Sequence, residues 1–205
     1  MSETDACALL VFARAPVPGE AKTRLIPALG AEGAAALQQR LLDDTLRMAA
    51  DVAECELQLW CSPDTTHPAF VRIAEAYPLT RYRQRGKGLG ERMAHALEQA
   101  LAQSPFAIII GTDCPELDAN AIRECIDKLT SGCEAVIGPA ADGGYYLLGL
   151  SRFEPSLFLG VDWGSDRVLA QTLERIEHLG MRYARLSLRH DLDRPEDLPR
   201  FPELH

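Results

Sequence analysis

The sequence predicts a single α/β domain, residues 1–205, built as a doubly wound, mostly parallel mixed sheet with helices on both faces. Short apolar runs alternate with segments of helical periodicity, the pattern of strands that cross over a helix and return to one sheet. No linker-like, repetitive or low-complexity stretch interrupts the 205 residues, a length suited to one large domain. A composition that is 47% hydrophobic and 25% charged is that of a packed globular chain.

The elements follow in order. Residues 8–13 form a continuous apolar run, a buried strand. Residues 32–50 carry Ala36, Leu37, Leu41, Leu42, Leu46 and Ala49 at helical spacing. Residues 56–61 alternate with period two and read as a strand, followed by a short helix at 69–76 and a strand at 81–84. A helix at 90–103 places Met93, Ala94, Leu97 and Leu101 on one face. The run at 106–110 is the clearest central strand of the chain. A helix at 119–129, strands at 135–137 and 145–150, a helix at 167–179 and a strand at 183–188 complete the pattern.

Thirty acidic against 21 basic residues give a formal charge of −9. That balance argues against nucleic acid or an anionic membrane surface as a partner, and the apolar runs are far short of a membrane span. The six cysteines (Cys7, Cys55, Cys61, Cys114, Cys125 and Cys133) include no C-x-x-C pair and no histidine at zinc-like spacing. Met1 is followed by Ser-Glu-Thr-Asp rather than a basic stretch and an apolar core. The expectation is a cytoplasmic protein with reduced thiols. No heptad or interface strand stands out, so monomer and dimer both stay open.

Ligands of open α/β sheets sit beyond the carboxyl ends of strands, and the segments there carry the chemistry. The first strand runs into Arg14-Ala-Pro-Val-Pro-Gly-Glu-Ala-Lys22-Thr23-Arg24-Leu25. Two prolines and a glycine shape this loop. Arg14, Lys22 and Arg24 concentrate positive charge in an acidic protein, which suits a polyphosphate: Arg grips it bidentately and Lys acts as a point charge. It is not a P-loop, because the glycine-lysine pattern of that motif is absent. Lys22 and Arg24 are expected to be exposed. The competing reading is a solvated loop with surface ion pairs.

Gly86-Lys-Gly88-Leu-Gly90-Glu-Arg92 precedes a helix, where glycines let backbone approach a ligand and leave helix N–H groups free for it; a simple turn is the alternative. Gly111-Thr-Asp113-Cys-Pro115 follows the central strand. Asp113 there suits a divalent cation bridging phosphates, or it forms a turn. Cys114 has no paired histidine and reads as buried filler. Asp142-Gly143-Gly144-Tyr145-Tyr146 lies between two strands and reads as a hairpin turn, with tyrosines able to meet a sugar or base. Asp162-Trp163-Gly-Ser165 either caps the next helix or lines the substrate. Asp191 and Asp193 point the same way in extended chain and could complete a metal site with Asp113, or Asp193 could cap a short helix. His190 reads as structural.

Ala13 to Leu25, Leu-Gly-Glu-Arg-Met, Gly-Thr-Asp-Cys-Pro, Asp-Gly-Gly-Tyr-Tyr-Leu-Leu-Gly-Leu and Asp-Leu-Asp-x-Pro-Glu-Asp-Leu, in this order, closely resemble a bacterial family. These are the radical-SAM/selenodomain-associated transferases, also described as arsenosugar-biosynthesis glycosyltransferases. The resemblance covers nearly the whole chain and implies the GT-A, or nucleotide-diphospho-sugar transferase, fold. It implies a transferase taking a nucleotide sugar or a nucleoside triphosphate, a small-molecule acceptor, and Mg²⁺ or Mn²⁺.

By that likeness Arg14, Lys22, Thr23, Arg24, Gly88, Gly90 and Arg92 would meet the nucleotide. Asp113, Asp191 and Asp193 would meet the metal, while Asp142, Gly143, Gly144, Tyr145, Asp162 and Trp163 would meet the substrate. Asp113, Asp142 and Lys22 would be catalytic. The first expectation is glycosyl transfer. Pro115 stands where many GT-A glycosyltransferases have a second Asp, and the Ala-Lys-Thr-Arg-Leu loop looks like that of guanylyltransferases, so nucleotidyl transfer is the second. A non-catalytic nucleotide-binding protein is the third.

Overall fold

The computed structural model describes residues 7–204, so the Met1-Ser-Glu-Thr-Asp opening lies outside the described residues. Strand β1 is Cys7–Arg14, β2 Cys55–Ser62, β3 Thr80–Arg83, β4 Ala107–Ile110, β5 Ala135–Pro139, β6 Tyr145–Leu150 and β7 Tyr183–Arg185. Helix α1 is Ile26–Ala50, α2 Pro68–Ala76, α3 Leu89–Leu101, α4 Ala119–Thr130 and α5 Val168–His178. The strands form one 7-stranded sheet in the order β3-β2-β1-β4-β6-β5-β7. Every neighbouring pair is parallel except those made by β6, which runs antiparallel to β4 and β5. The sheet is therefore mixed and mostly parallel.

Alternation along β1 explains the layers. Cys7, Leu9, Val11 and Ala13 pack with Leu42 and Leu46 of α1, Phe70 of α2 and Ile122 and Cys125 of α4. Ala8 and Leu10, pointing the opposite way, pack with Met93 and Leu97 of α3 and Leu173 and Ile176 of α5. A central strand buried on both faces must be apolar at every position, which is why it reads as a continuous run.

The predicted elements are present with small boundary changes. Helix α1 starts earlier than expected because it merges two helices across Gly30, whose φ of 72° and ψ of 168° are non-helical. The last strand stops at Arg185, before the predicted 188. Beyond it the continuous ladder gives way to separate backbone contacts, such as the Leu186 amide donating to the Ile137 carbonyl.

Two positions bear on the cysteine and membrane expectations. Cys7 and Cys55 are register partners on β1 and β2, with Cα atoms 4.6 Å apart, and are joined by a disulfide. The expectation of six reduced thiols is overturned at this pair. A separation of 48 residues hides the fact that parallel pairing sets the two side by side. Cys61, Cys114, Cys125 and Cys133 are free thiols. Among the described residues no helix is long and apolar enough to cross a membrane.

A third apolar cluster positions the site. Leu192, Leu198 and Phe201, after the last strand, pack against Leu25, Leu37 and Leu41 at the start of α1. This contact lays the C-terminal segment beside the first loop.

Candidate functional site

Because β6 is reversed, the turn joining β5 to β6 opens at the same sheet edge as the carboxyl ends of β1 and β4. The segment after β7 reaches that edge too, through the bridge between Ala140 and Arg189. Together these loops enclose a cavity of about 790 Å³. Its walls include Arg14, Lys22, Thr23 and Arg24 from the first loop, Asp113 after β4, Asp142, Gly144 and Tyr145 from the hairpin, and Asp191 and Asp193 from the C-terminal segment. Trp163 closes the side near α3.

Lys22 does not have the expected exposure: it is 8% exposed, and this corrects the sequence reading. Its backbone is left-handed, with φ 46° and ψ 44°, a conformation that costs a non-glycine residue energy and persists only where surroundings impose it. Those surroundings are visible. The Lys22 ammonium donates to the Leu192 carbonyl at 2.6 Å and lies 2.6 Å from Asp113 Oδ1 and 4.0 Å from Asp193 Oδ1. Arg24, exposed as expected, pairs with Asp193 at 2.5 Å. The Leu192 amide donates to the Asp113 carbonyl at 2.7 Å, tying the two acidic segments together.

Asp191 is the strongly perturbed carboxyl of the cavity. Burial, then the charges of Asp113, Asp142 and Asp193, push its carboxyl up to about 7 against the opposing pull of Lys22. Its Oδ1 is buried and has no hydrogen-bond partner. Ordinarily such an oxygen would be satisfied. Asp142 is exposed, and its Oδ1 accepts the Gly144 amide at 2.9 Å, which fixes the hairpin turn. Among the described residues no three His, Cys, Asp or Glu side chains are gathered closely enough to hold a metal ion; the Lys22 ammonium lies against Asp113 and beside Asp193 instead.

The opposite wall is aromatic. Trp163 meets Tyr145 edge-on at 6.4 Å and stacks with Phe158 at 6.5 Å. A Cβ on Gly90 would fall 2.2 Å from Trp163 Nε1. A Cβ on Gly143, whose φ is 89°, would fall 2.1 Å from the Asp166 carbonyl oxygen. These two glycines therefore serve packing: they let the 162–166 loop lie against α3 and the hairpin.

Several expected residues do not line this cavity: Gly88, Gly90, Arg92, Gly143 and Asp162 are absent from its walls. The Asp162 carboxylate is spent on Arg167 and on Gln171, each at 2.7 Å, so it ties its own loop. Arg92 points elsewhere, with Nε donating to the Gly86 carbonyl at 3.1 Å. His190 pairs with Glu116 at 3.3 Å, in keeping with a structural role. Burial drives the Cys114 thiol up to about 12, away from the thiolate form.

Other wall residues carried too little signal in the sequence. Gln38 is buried on α1 and donates to Thr112 Oγ1 at 3.2 Å, bridging the first helix to the loop after β4. Its signal was a polar residue between the apolar Leu37 and Leu41. Phe12, Leu89, Met93 and Arg194 also line the cavity, and nothing in their local sequence sets them apart.

The fold recurs in solved structures. A protein from Desulfovibrio desulfuricans G20, described as a candidate nucleotide-diphospho-sugar transferase, superposes with a TM-score of 0.84 at 28% identity, over 93% of this chain and 83% of the other. A CMP:2-keto-3-deoxy-manno-octonic acid synthetase in complex with CTP gives 0.60 at 12% identity, over 97% of each chain. Rv0371c of Mycobacterium tuberculosis H37Rv, in complex with manganese, gives 0.57 at 14% identity, over 96% of this chain and 97% of that one. The last two are likenesses of fold. No curated protein matches the chain. Residues 45–165 match the family model described as "Uncharacterized protein conserved in bacteria (DUF2064)", and the chain belongs to that family.

Proposed function

We propose that this protein is a metal-dependent transferase that uses a nucleotide-diphosphate sugar and moves the sugar to a small acceptor, as the arsenosugar-type glycosyltransferases it resembles are held to do. The observation that carries the reading is the gathering, in one cavity, of Lys22 and Arg24 with Asp113, Asp191 and Asp193. A diphosphate needs cations held in place, and a divalent cation needs hard oxygen ligands. The solved relative from Desulfovibrio supports the donor class by its description.

The chemistry of the donor set fits a cation. Asp191 Oδ1 is buried without a partner, and the charges of Asp113, Asp142 and Asp193 all press on it. Asp113, Asp191 and Asp193, which are not gathered closely enough for an ion as they stand, would hold Mg²⁺ or Mn²⁺ once Lys22 gives up its place at Asp113 and the three carboxylates draw together. The metal would supply neutralisation of charge on the departing diphosphate.

The chain's own residues do the rest. Arg24 and Arg14 grip phosphate oxygens, and Lys22, released from Asp113, adds a point charge where negative charge develops. Asp142 stands across the cavity on a turn fixed by Gly144, placed to contact the sugar or to take the acceptor's proton. Trp163 and Tyr145 offer an aromatic wall to the acceptor or sugar.

Nucleotidyl transfer is the second reading. Asp113 is followed by Cys114-Pro115 rather than by a second acidic residue, an arrangement closer to the nucleotidyltransferase branch of the superfamily. The two readings release different products. Purified protein is incubated with a panel of nucleotide-diphosphate sugars and of nucleoside triphosphates, with Mn²⁺ or Mg²⁺. Nucleoside diphosphate released from a sugar nucleotide supports the first reading. Pyrophosphate released from a triphosphate, with the sugar nucleotides untouched, replaces it with the second.

A further inference from the structure

A second cavity, of about 600 Å³, lies at the β2–β3 side of the same sheet edge. Ser62 and Pro63 frame it at the end of β2, and Arg83 and Arg85 where the chain leaves β3. Arg92 reaches it from the first turns of α3. None of these residues lines the main cleft, although Ser62 is the register partner of Arg14, so the two cavities are neighbours.

Three guanidinium groups border this space. Arg83 Nε donates to the Pro63 carbonyl at 3.0 Å. Arg92 Nε donates to the Gly86 carbonyl at 3.1 Å, and its Nη1 lies 3.4 Å from Ser62 Oγ. Those bonds anchor two of the three groups while leaving further N–H donors unspent, since a guanidinium carries five. Among the described residues none of the three forms an ion pair with a carboxylate. Arg47, Arg152 and Arg167, elsewhere on this acidic protein, all do.

Two acids close by in sequence make their hydrogen bonds to other partners. Asp64, which feels the charge of Arg83, accepts the amide and hydroxyl of Thr66 at 2.8 and 2.7 Å, and Glu91 accepts the Lys87 amide at 2.8 Å.

The backbone is shaped to hold this arrangement. Gly86 has φ 139°, and a Cβ there would fall 2.7 Å from Glu91 Cβ and 2.8 Å from the Arg92 amide nitrogen. Only glycine lets the chain close over the first turn of α3 at that point, which brings Arg85 to Arg92. Like charges gathered around one cavity repel one another unless an anion sits among them.

We infer that this cavity is a second anion site, for a small molecule carrying a phosphate group, and that it fills independently of the main cleft. Planar guanidinium forks match phosphate oxygens in pairs, and the cavity has room for the organic part that bears the phosphate.

Inorganic phosphate and pyrophosphate are the probes, titrated by calorimetry into the full chain in a chloride buffer without metal. Three proteins are compared: the native one, Arg83→Glu/Arg85→Glu, and Arg24→Ala. The native protein should show saturable binding, and the double variant should lose about tenfold or more in affinity, whereas Arg24→Ala keeps it. Thermal melting verifies that the double variant folds; if it does not, Arg83→Gln/Arg85→Gln takes its place with the same expected loss. Binding whose affinity and stoichiometry are unchanged by the double arginine replacement, or that disappears entirely with Arg24→Ala, puts the phosphate in the main cleft alone and overturns the inference. Absence of saturable binding to the native protein at millimolar probe overturns it as well. Turnover of sugar nucleotides tests the proposed function separately, because neither Arg83 nor Arg85 belongs to that cleft.

Discussion

The Lys22 ammonium lies 2.6 Å from Asp113 Oδ1, with the lysine side chain 2% exposed and the aspartate side chain 49% exposed. The lysine is thus committed to the protein interior while its carboxylate partner faces the cleft. Lys22 is the counter-ion of Asp113, and a divalent cation that took Asp113 as a ligand, as proposed, would have to displace it.

Replacing Lys22 with alanine should therefore have opposite effects on two ligands. Mn²⁺ binding without nucleotide, followed by the loss of the free-ion paramagnetic signal, should tighten. Affinity for the nucleotide should fall about tenfold or more, since a charge-assisted phosphate contact disappears. The variant should also lose about 1–3 kcal/mol of stability, because the Leu192 carbonyl is left without its donor. Weaker Mn²⁺ binding in the variant would remove Lys22 from the role of displaceable counter-ion.

Asp191 sets a pH dependence. Its carboxyl is held up at about 7 in the fold, against an ordinary value of 3.8. The folded state therefore binds this proton more tightly than the unfolded chain. That contribution is fully present below about pH 4 and is lost as pH rises through about 7. Asp191→Asn, which carries no charge to bury, should raise the melting temperature of the metal-free protein at pH 8 and have little effect at pH 5. The same variant should lose any stabilisation by Mn²⁺. Equal shifts at both pH values would mean that the effect is one of packing.

Arg24→Ala separates binding from stability. The Arg24 side chain is 55% exposed and its ion pair with Asp193 is open to solvent, so the melting temperature should barely move; such pairs contribute about 0–1 kcal/mol. Nucleotide affinity, measured by thermal shift or calorimetry, should fall markedly. Unchanged affinity would mean that the first loop does not hold phosphate.

Gly90→Ala sets two effects against each other. Alanine favours a helix over glycine by about 1 kcal/mol, but its Cβ would fall 2.2 Å from the Trp163 indole nitrogen. The indole, half-buried against Tyr145 and Phe158, must shift to admit the methyl group, so the cost of that shift should offset the helical gain and leave a small net stability change. The intrinsic tryptophan emission should shift to the red and substrate affinity should drop. An unchanged emission maximum would show that Trp163 accommodates the methyl group in place.

The sheet was legible because each strand carries its own signal. β4, an unbroken Ala-Ile-Ile-Ile run, can be little else. The loops were legible where glycine, proline and charge mark them, as at Asp113 and at the Asp142 hairpin. Relations between segments were not. The burial of Lys22 depends on Leu192, 170 positions away, and the packing roles of Gly90 and Gly143 depend on a loop at 162–166. Local sequence reports a side chain's chemistry, whereas its partner is set by the topology. The same reason hid the disulfide between Cys7 and Cys55.

The contact of Leu192, Leu198 and Phe201 with Leu25, Leu37 and Leu41 has a temporal meaning. All seven strands are complete by Arg185, so during synthesis the sheet can assemble before Asp191 and Asp193 have joined it. Until the final apolar segment docks on α1, the first loop has its cations but lacks the carboxylates of the C-terminal segment. The cavity's acidic side is thus completed only after the sheet, and a chain cut before Asp191 would hold all seven strands yet lack those two carboxylates.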